Sequence, residues 1–252
     1  MDILYMVHGM WGGPHHWDNY RTFFEGRGYR CITPVLRHHN VDPKDDPPPE
    51  LGSTSLLDYA EDLEREVNTL DEPPILMGHS MGGLLVQMLA ARGLGKKMGA
   101  LTPASPGDVV ALRWSVIKSF RTGIFRRSFW KRPYRQTFNE ACYSMMHLLP
   151  PDRQRDEYDK YVYESGRAAF EIGFSLLDRQ RASRVDETKI KCPMLIVGAQ
   201  EDRITPASVV RKVAKKYGDR CEYKEFPGHA HWVLGEPGWE DVAGFVADWL
   251  ER

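Results

Sequence analysis

Apolar residues follow two alternating rhythms along this chain. Short runs at residues 3–7, 30–35, 73–78, 99–102, 192–197 and 221–226 are rich in strand formers and too short for stable helices. They predict buried strands. Between them, apolar positions recur at three- and four-residue steps. Leu56, Tyr59, Ala60, Leu63 and Val67 form one such stripe, and Leu84, Leu85, Met88 and Leu89 a second. Val209, Val213 and Ala214 form a third, and Val242, Phe245, Val246 and Trp249 close the chain. A further helix is expected over residues 17–27. Strand and helix alternating in this way predict an α/β fold, an open, mostly parallel sheet of about six strands with helices on both faces.

Two segments break the alternation. Residues 43–49 hold four prolines and several charges, the composition of an exposed, stiff connector. Residues 105–186 carry helical signals and no strong strand. Met145, Met146, Leu148 and Leu149 end at Pro150-Pro151, and Tyr158, Tyr161, Val162 and Phe170 follow in a second helical stretch. Lying between the fourth and fifth strands, this insertion is expected over the carboxyl ends of the sheet, where ligands bind in such folds. We therefore expect a helical lid, 105–186, on a core of 1–104 and 187–252.

Composition narrows the class. The 252 residues are 42% hydrophobic and 27% charged, enough apolar material for one large core. The formal net charge of −1, from 34 basic and 35 acidic side chains, excludes a chain-wide grip on nucleic acid while permitting local patches. No apolar run is long enough to span a bilayer, and the first ten residues lack the basic start and cleavage site of a secretory leader. Cys31, Cys142, Cys192 and Cys221 lie far apart with no CxxC pair, fitting reduced thiols and a cytoplasmic location. The doublets His15-His16 and His38-His39 lack companions at ligand spacing, so no metal is expected.

One stretch departs from the overall balance. From Val109 to Asn139 there are eight basic residues and no acidic one, with Trp114, Phe120, Phe125, Phe129, Trp130 and Tyr134 interleaved. Three readings follow: attraction of an anionic substrate, contact with an anionic lipid surface, or a solvated helical face whose aromatics pack onto the body. The last is the simplest. A lid also explains the pattern more simply than single-stranded nucleic acid does.

The strongest chemical signal is Gly78-His79-Ser80-Met81-Gly82, which follows an apolar strand and opens an apolar helix. A nucleophile on so tight a strand-to-helix turn needs no side chain two residues to either side, and glycine at 78 and 82 meets that need. Ser80 is then free to project, and the Met81 amide at the helix start faces a developing oxyanion.

With this motif in this context, the chain resembles the α/β-hydrolase fold superfamily over nearly its whole length. That resemblance implies a nucleophile, an acid and a histidine in that order. The segment from Gly198 to Pro206 resembles the acid loop. Asp202 stands four residues before Pro206, whereas counting from Gly198 points to Glu201; the shorter side chain and the proline register favour Asp202. In Pro227-Gly228-His229-Ala230-His231-Trp232, the following aromatic and a glutamate five positions on (Glu236) favour His231, while the preceding glycine favours His229. Val7-His8-Gly9-Met10 resembles the oxyanion loop and nominates the Met10 amide beside that of Met81, with His8 as a loop tie. Losing such a donor costs roughly 3–4 kcal/mol of transition-state stabilisation.

The implied activity is a serine hydrolase cleaving a carboxylic ester, of short or medium chain length or a monoacylglycerol, as a small-molecule substrate and without a cofactor. Thioesterase, lactonase, carbon–carbon hydrolase and perhydrolase chemistry use similar triads, and some relatives are ligand receptors. A dehalogenase or epoxide hydrolase needs a carboxylate where Ser80 stands.

Overall fold

The computed structural model describes residues 1–111 and 113–252. Its strands in chain order are β1 (Ile3–Val7), β2 (Arg30–Ile32), β3 (Ile75–His79), β4 (Lys97–Leu101), β5 (Pro133–Tyr134), β6 (Glu164–Ser165), β7 (Met194–Ala199) and β8 (Cys221–Phe226). Six of them form one sheet in the order β2-β1-β3-β4-β7-β8, and every pairing in it is parallel. The inner strands β1, β3 and β7 are buried along their whole length. The two edge strands carry most of the charges, Arg30 on β2 and Glu222, Lys224 and Glu225 on β8, while inner β4 has only the half-buried Lys97 at its first position. Sheets covered by helices on both faces favour that division, because edge strands and strand ends meet water while strand interiors do not.

The helices explain themselves in the same terms. Both α1 (Asp18–Glu25) and α2 (Leu56–Val67) bury one stripe, and Ser55 caps α2 by accepting from the Leu57 amide. By contrast α3 (Met81–Ala91) is apolar all round and buried from Met81 to Ala90, as a helix at the centre of the molecule must be. Its one long polar side chain, Gln87, donates to Gly83 O at 2.7 Å and accepts from Tyr217 at 2.5 Å.

Between β4 and β7 the 105–186 segment forms α4 (Trp114–Ser119), α5 (Arg121–Ile124), α6 (Phe138–Ser144), α7 (Pro151–Tyr158) and α8 (Gly166–Gly173). It also holds the antiparallel ribbon β5–β6, two residues a strand and too short to leave a pattern in the sequence. Tyr161 and Val162 are not helical as expected: the Val162 amide donates to Trp11 O (2.9 Å) instead of continuing α7. The chain returns through α9 (Ala207–Tyr217) and ends in α10 (Trp239–Leu250). Strand β2 stops at Ile32 rather than Val35, before Pro34, which has no N–H for the ladder.

Two buried glutamates fasten the insertion to α2 and its approach. Glu164 pairs with His39 (3.1 Å) and accepts from Tyr59 (2.7 Å), while Glu171 accepts from Ser55 Oγ and the Leu56 amide. The proline-rich connector is held as well, by Arg135 on Pro43 O (2.8 Å).

Candidate active site

Parallel strands send all their carboxyl ends to one edge of the sheet, and the candidate residues collect there. Val7 pairs with Gly78, so the loops leaving β1 and β3 depart side by side and bring Met10 next to Ser80. Ser80 itself has φ +55° and ψ −120°, a conformation that costs on the order of 1–3 kcal/mol for a residue with a side chain. The glycines around it answer to close backbone. A Cβ on Gly78 would stand 2.2 Å from Gly82 O, and one on Gly82 only 2.1 Å from Val7 O. A side chain at 78 pushes the start of α3 off β3, and one at 82 pushes it off β1.

Asp202 follows β7 by three residues and His231 follows β8 by five. His231 Nδ1 lies 2.7 Å from Asp202 Oδ2, both side chains fully buried. Asp202 accepts three further hydrogen bonds, from the Ile204 and Thr205 amides on Oδ1 (2.8 Å each) and the Thr205 hydroxyl on Oδ2 (2.7 Å). Burial pushes its carboxyl up, but His231 and the Thr205 bonds outweigh it and hold the pKa below the usual value. A carboxylate here fixes the proton on Nδ1 and leaves Nε2 with a lone pair. Nε2 is buried without a hydrogen-bond partner.

The backbone of His231 is pinned too. His79 Nε2 donates to its carbonyl at 2.8 Å and Thr102 Oγ1 at 3.3 Å. Burial, then the neighbouring His231, lowers the His79 pKa to about 3, so it stays a neutral donor. Neither role is legible in sequence, since His79 occupies a variable position of its motif. Thr205, directly before Pro206 in the acid loop, was also missed.

The rival candidates stand elsewhere. Glu201 is exposed, its amide donating to His229 O. His229 Nδ1 lies 2.9 Å from Glu236 Oε1, which also accepts from the Ala230 amide. Burial lifts the Glu236 carboxyl to about 7. His8 donates from Nδ1 to Gly9 O and accepts from the Leu36 amide on Nε2. Burial and His39 take its pKa down to about 3, which suits a tie rather than a base. Among the described residues no group of three or more His, Cys, Asp or Glu side chains is placed to hold a metal.

Met10, Met81 and Ser80 line one cavity of about 690 Å³, within the usual range for small-molecule sites. The amides of Met10 and Met81 donate to no protein group among the described residues. Trp11 beside them has φ +61°, and its indole donates to Tyr134 O (3.1 Å), so the loop after β1 grips the insertion as it turns. Aliphatic and aromatic side chains of the insertion, including Val116, Ile117, Phe120 and Ile172, make the cavity walls. Not all the insertion's aromatics pack down as expected. Trp114 and Phe125 keep 76% and 77% of their surface exposed, although Phe129 and Tyr134 are buried. Each large apolar side chain left in water forgoes about 1.5–3 kcal/mol of burial.

Residues 4–245 match the sequence profile described as "Alpha/beta hydrolase family". The chain belongs to the alpha/beta hydrolase family. Solved structures agree on the fold. A methylesterase from Arabidopsis superposes with a TM-score of 0.73 at 11% identity, covering 100% of this chain and 99% of its own. A pyrethroid hydrolase from Sphingobium faniae JZ-2 gives 0.73 at 18% identity, covering 100% and 98%. A monoacylglycerol lipase from Paleococcus ferrophilus gives 0.71 at 21%, covering 98% and 93%. No curated protein sequence matches the chain. No helix among the described residues is long and apolar enough to cross a membrane.

Proposed function

We propose that the chain is a serine hydrolase of carboxylic esters acting through Ser80, His231 and Asp202. The observation that carries this reading is the buried His231–Asp202 pair, whose Nε2 is unengaged and not hydrogen-bonded to Ser80, together with a strained Ser80 that lines an apolar cavity. Nε2 takes the Ser80 proton as the hydroxyl oxygen attacks the carbonyl, and Asp202 stabilises the imidazolium that forms. The Met10 and Met81 amides receive the tetrahedral oxyanion. The imidazolium gives its proton to the leaving alcohol; the neutral imidazole then takes a proton from the water that attacks the acyl group and passes it to Ser80 Oγ as the acid leaves.

Several observations favour esters over the other chemistries the family hosts. The similar structures named above are a methylesterase, a pyrethroid hydrolase and a monoacylglycerol lipase. The cavity is apolar, with Arg113 the one charged side chain on its wall among the described residues. A medium-length acyl chain or a monoacylglycerol suits it. We propose that residues 105–186 act as the lid, since their helices wall the cavity above Ser80. Four unpaired cysteines fit a reducing, cytoplasmic setting.

A panel of p-nitrophenyl esters graded by acyl length, beside thioester and lactone substrates, tests this. Turnover should peak at medium-chain esters and vanish in Ser80→Ala, with the circular dichroism spectrum unchanged. Preference for a lactone or thioester reassigns the substrate, and undiminished turnover in Ser80→Ala removes the mechanism.

A further inference from the structure

The mouth of the cavity carries more apolar surface than an acyl site needs. Ten large hydrophobic side chains are exposed among the described residues, and seven of them belong to the 105–186 insertion. Val110, Phe125, Phe174, Leu176 and Leu177 both line the cavity and face solvent, Leu176 at 82% exposure. They form a lip around the opening that leads to Ser80. Trp114 is exposed on α4 without lining the cavity.

Positive charge is concentrated in the same insertion, with Arg121, Arg126 and Arg127 flanking Phe125 in the chain. The insertion has fifteen basic and ten acidic side chains, against nineteen and twenty-five in the remainder of the chain. Of its basic side chains, Arg155, Lys160 and Arg167 enter ion pairs. Exposed Arg121, Arg126, Arg127, Lys131 and Arg132 enter no ion pair among the described residues.

We propose that this lip seats on an anionic lipid surface, with Trp114, Phe125, Leu176 and Leu177 entering the interface and the free arginines on the headgroups. Apolar area sets the depth of such an association and cationic side chains its preference for negative membranes. The charge pattern separates this occupant from its rivals. A soluble anionic substrate calls for positive charge inside the cavity, whereas nearly all of it stands outside. Single-stranded nucleic acid stacks on aromatics, and the aliphatic half of the lip offers no such platform. A two-fold contact with a second copy opposes two net positive faces.

The proposal goes beyond ester hydrolysis, so binding is measured on the full-length Ser80→Ala protein. It is sedimented with vesicles of phosphatidylcholine alone or mixed with phosphatidylglycerol. We expect binding to the mixed vesicles only, reversed by added salt. Trp114→Ser, and separately Arg126→Glu with Arg127→Glu, should each weaken it by about tenfold or more. In the Ser80-containing protein, neither change should alter turnover of a water-soluble short-chain ester, which also reports that the variants fold. No sedimentation with mixed vesicles, equal binding to both vesicle types, or variants that bind like the parent each overturn the proposal. So does a solution dimer that Trp114→Ser dissociates, because the lip then belongs to a second copy. Failure of ester turnover leaves the binding result standing and counts against the proposed activity alone.

Discussion

At the scale of single residues, the acid position shows what a sequence can and cannot resolve. Asp202 and Glu201 are adjacent carboxylates, and counting from Gly198 or from Pro206 chooses different ones. Space separates them: Asp202 is buried against His231 while Glu201 points its charge into water. Asp202→Asn keeps the shape of the site but favours the wrong imidazole tautomer, so kcat on a p-nitrophenyl ester should fall about 10⁴-fold. Glu201→Gln should stay within a few-fold of the parent. A larger loss in Glu201→Gln than in Asp202→Asn would move the acid to position 201. The strained turn at Ser80 was legible because it forces glycine at two positions. Thr205 and His79 were not, because a hydroxyl or an imidazole at a variable position carries no signal until the fold brings it to Asp202 Oδ2 or His231 O.

At the scale of elements, the strands and helices were legible to within a few residues wherever apolar periodicity was strong. The two-residue ribbon and the turn at Tyr161–Val162 were not, since both are made by contacts distant in sequence, such as Val162 N–H on Trp11 O. The loop after β8 carries a second histidine–carboxylate pair whose weight falls on stability. Burial raises the Glu236 carboxyl from 4.5 to about 7. The folded protein therefore binds this proton more tightly than the unfolded chain, and stability falls as pH rises from about 4.5 through 7. Glu236→Gln keeps an acceptor for the Ala230 amide and cannot ionise. Urea unfolding at pH 5 and pH 7.5 should show the parent losing more stability across that interval than the variant, by on the order of 3 kcal/mol. Equal losses would mean that Glu236 titrates normally.

At the scale of the whole molecule, the sheet brings four loops to one edge, and side chains of the insertion line the cavity that Ser80 also lines. Its position between the fourth and fifth strands of the main sheet was readable from the break in alternation. Its attachment was not: Glu164 and Glu171 are two glutamates among many until His39, Tyr59, Ser55 and Leu56 surround them. Held at that base, the insertion keeps an apolar wall above Ser80 and an apolar lip toward solvent. The proposed chemistry depends on the reactivity of one hydroxyl, which a fluorophosphonate probe reads without knowledge of the substrate. Peptide mass spectrometry of the native, labelled protein should find the adduct on Ser80 alone, with labelling slowed by orders of magnitude in Asp202→Asn and absent after denaturation. An unlabelled Ser80 in the native protein, or labelling that Asp202→Asn leaves unchanged, would contradict it.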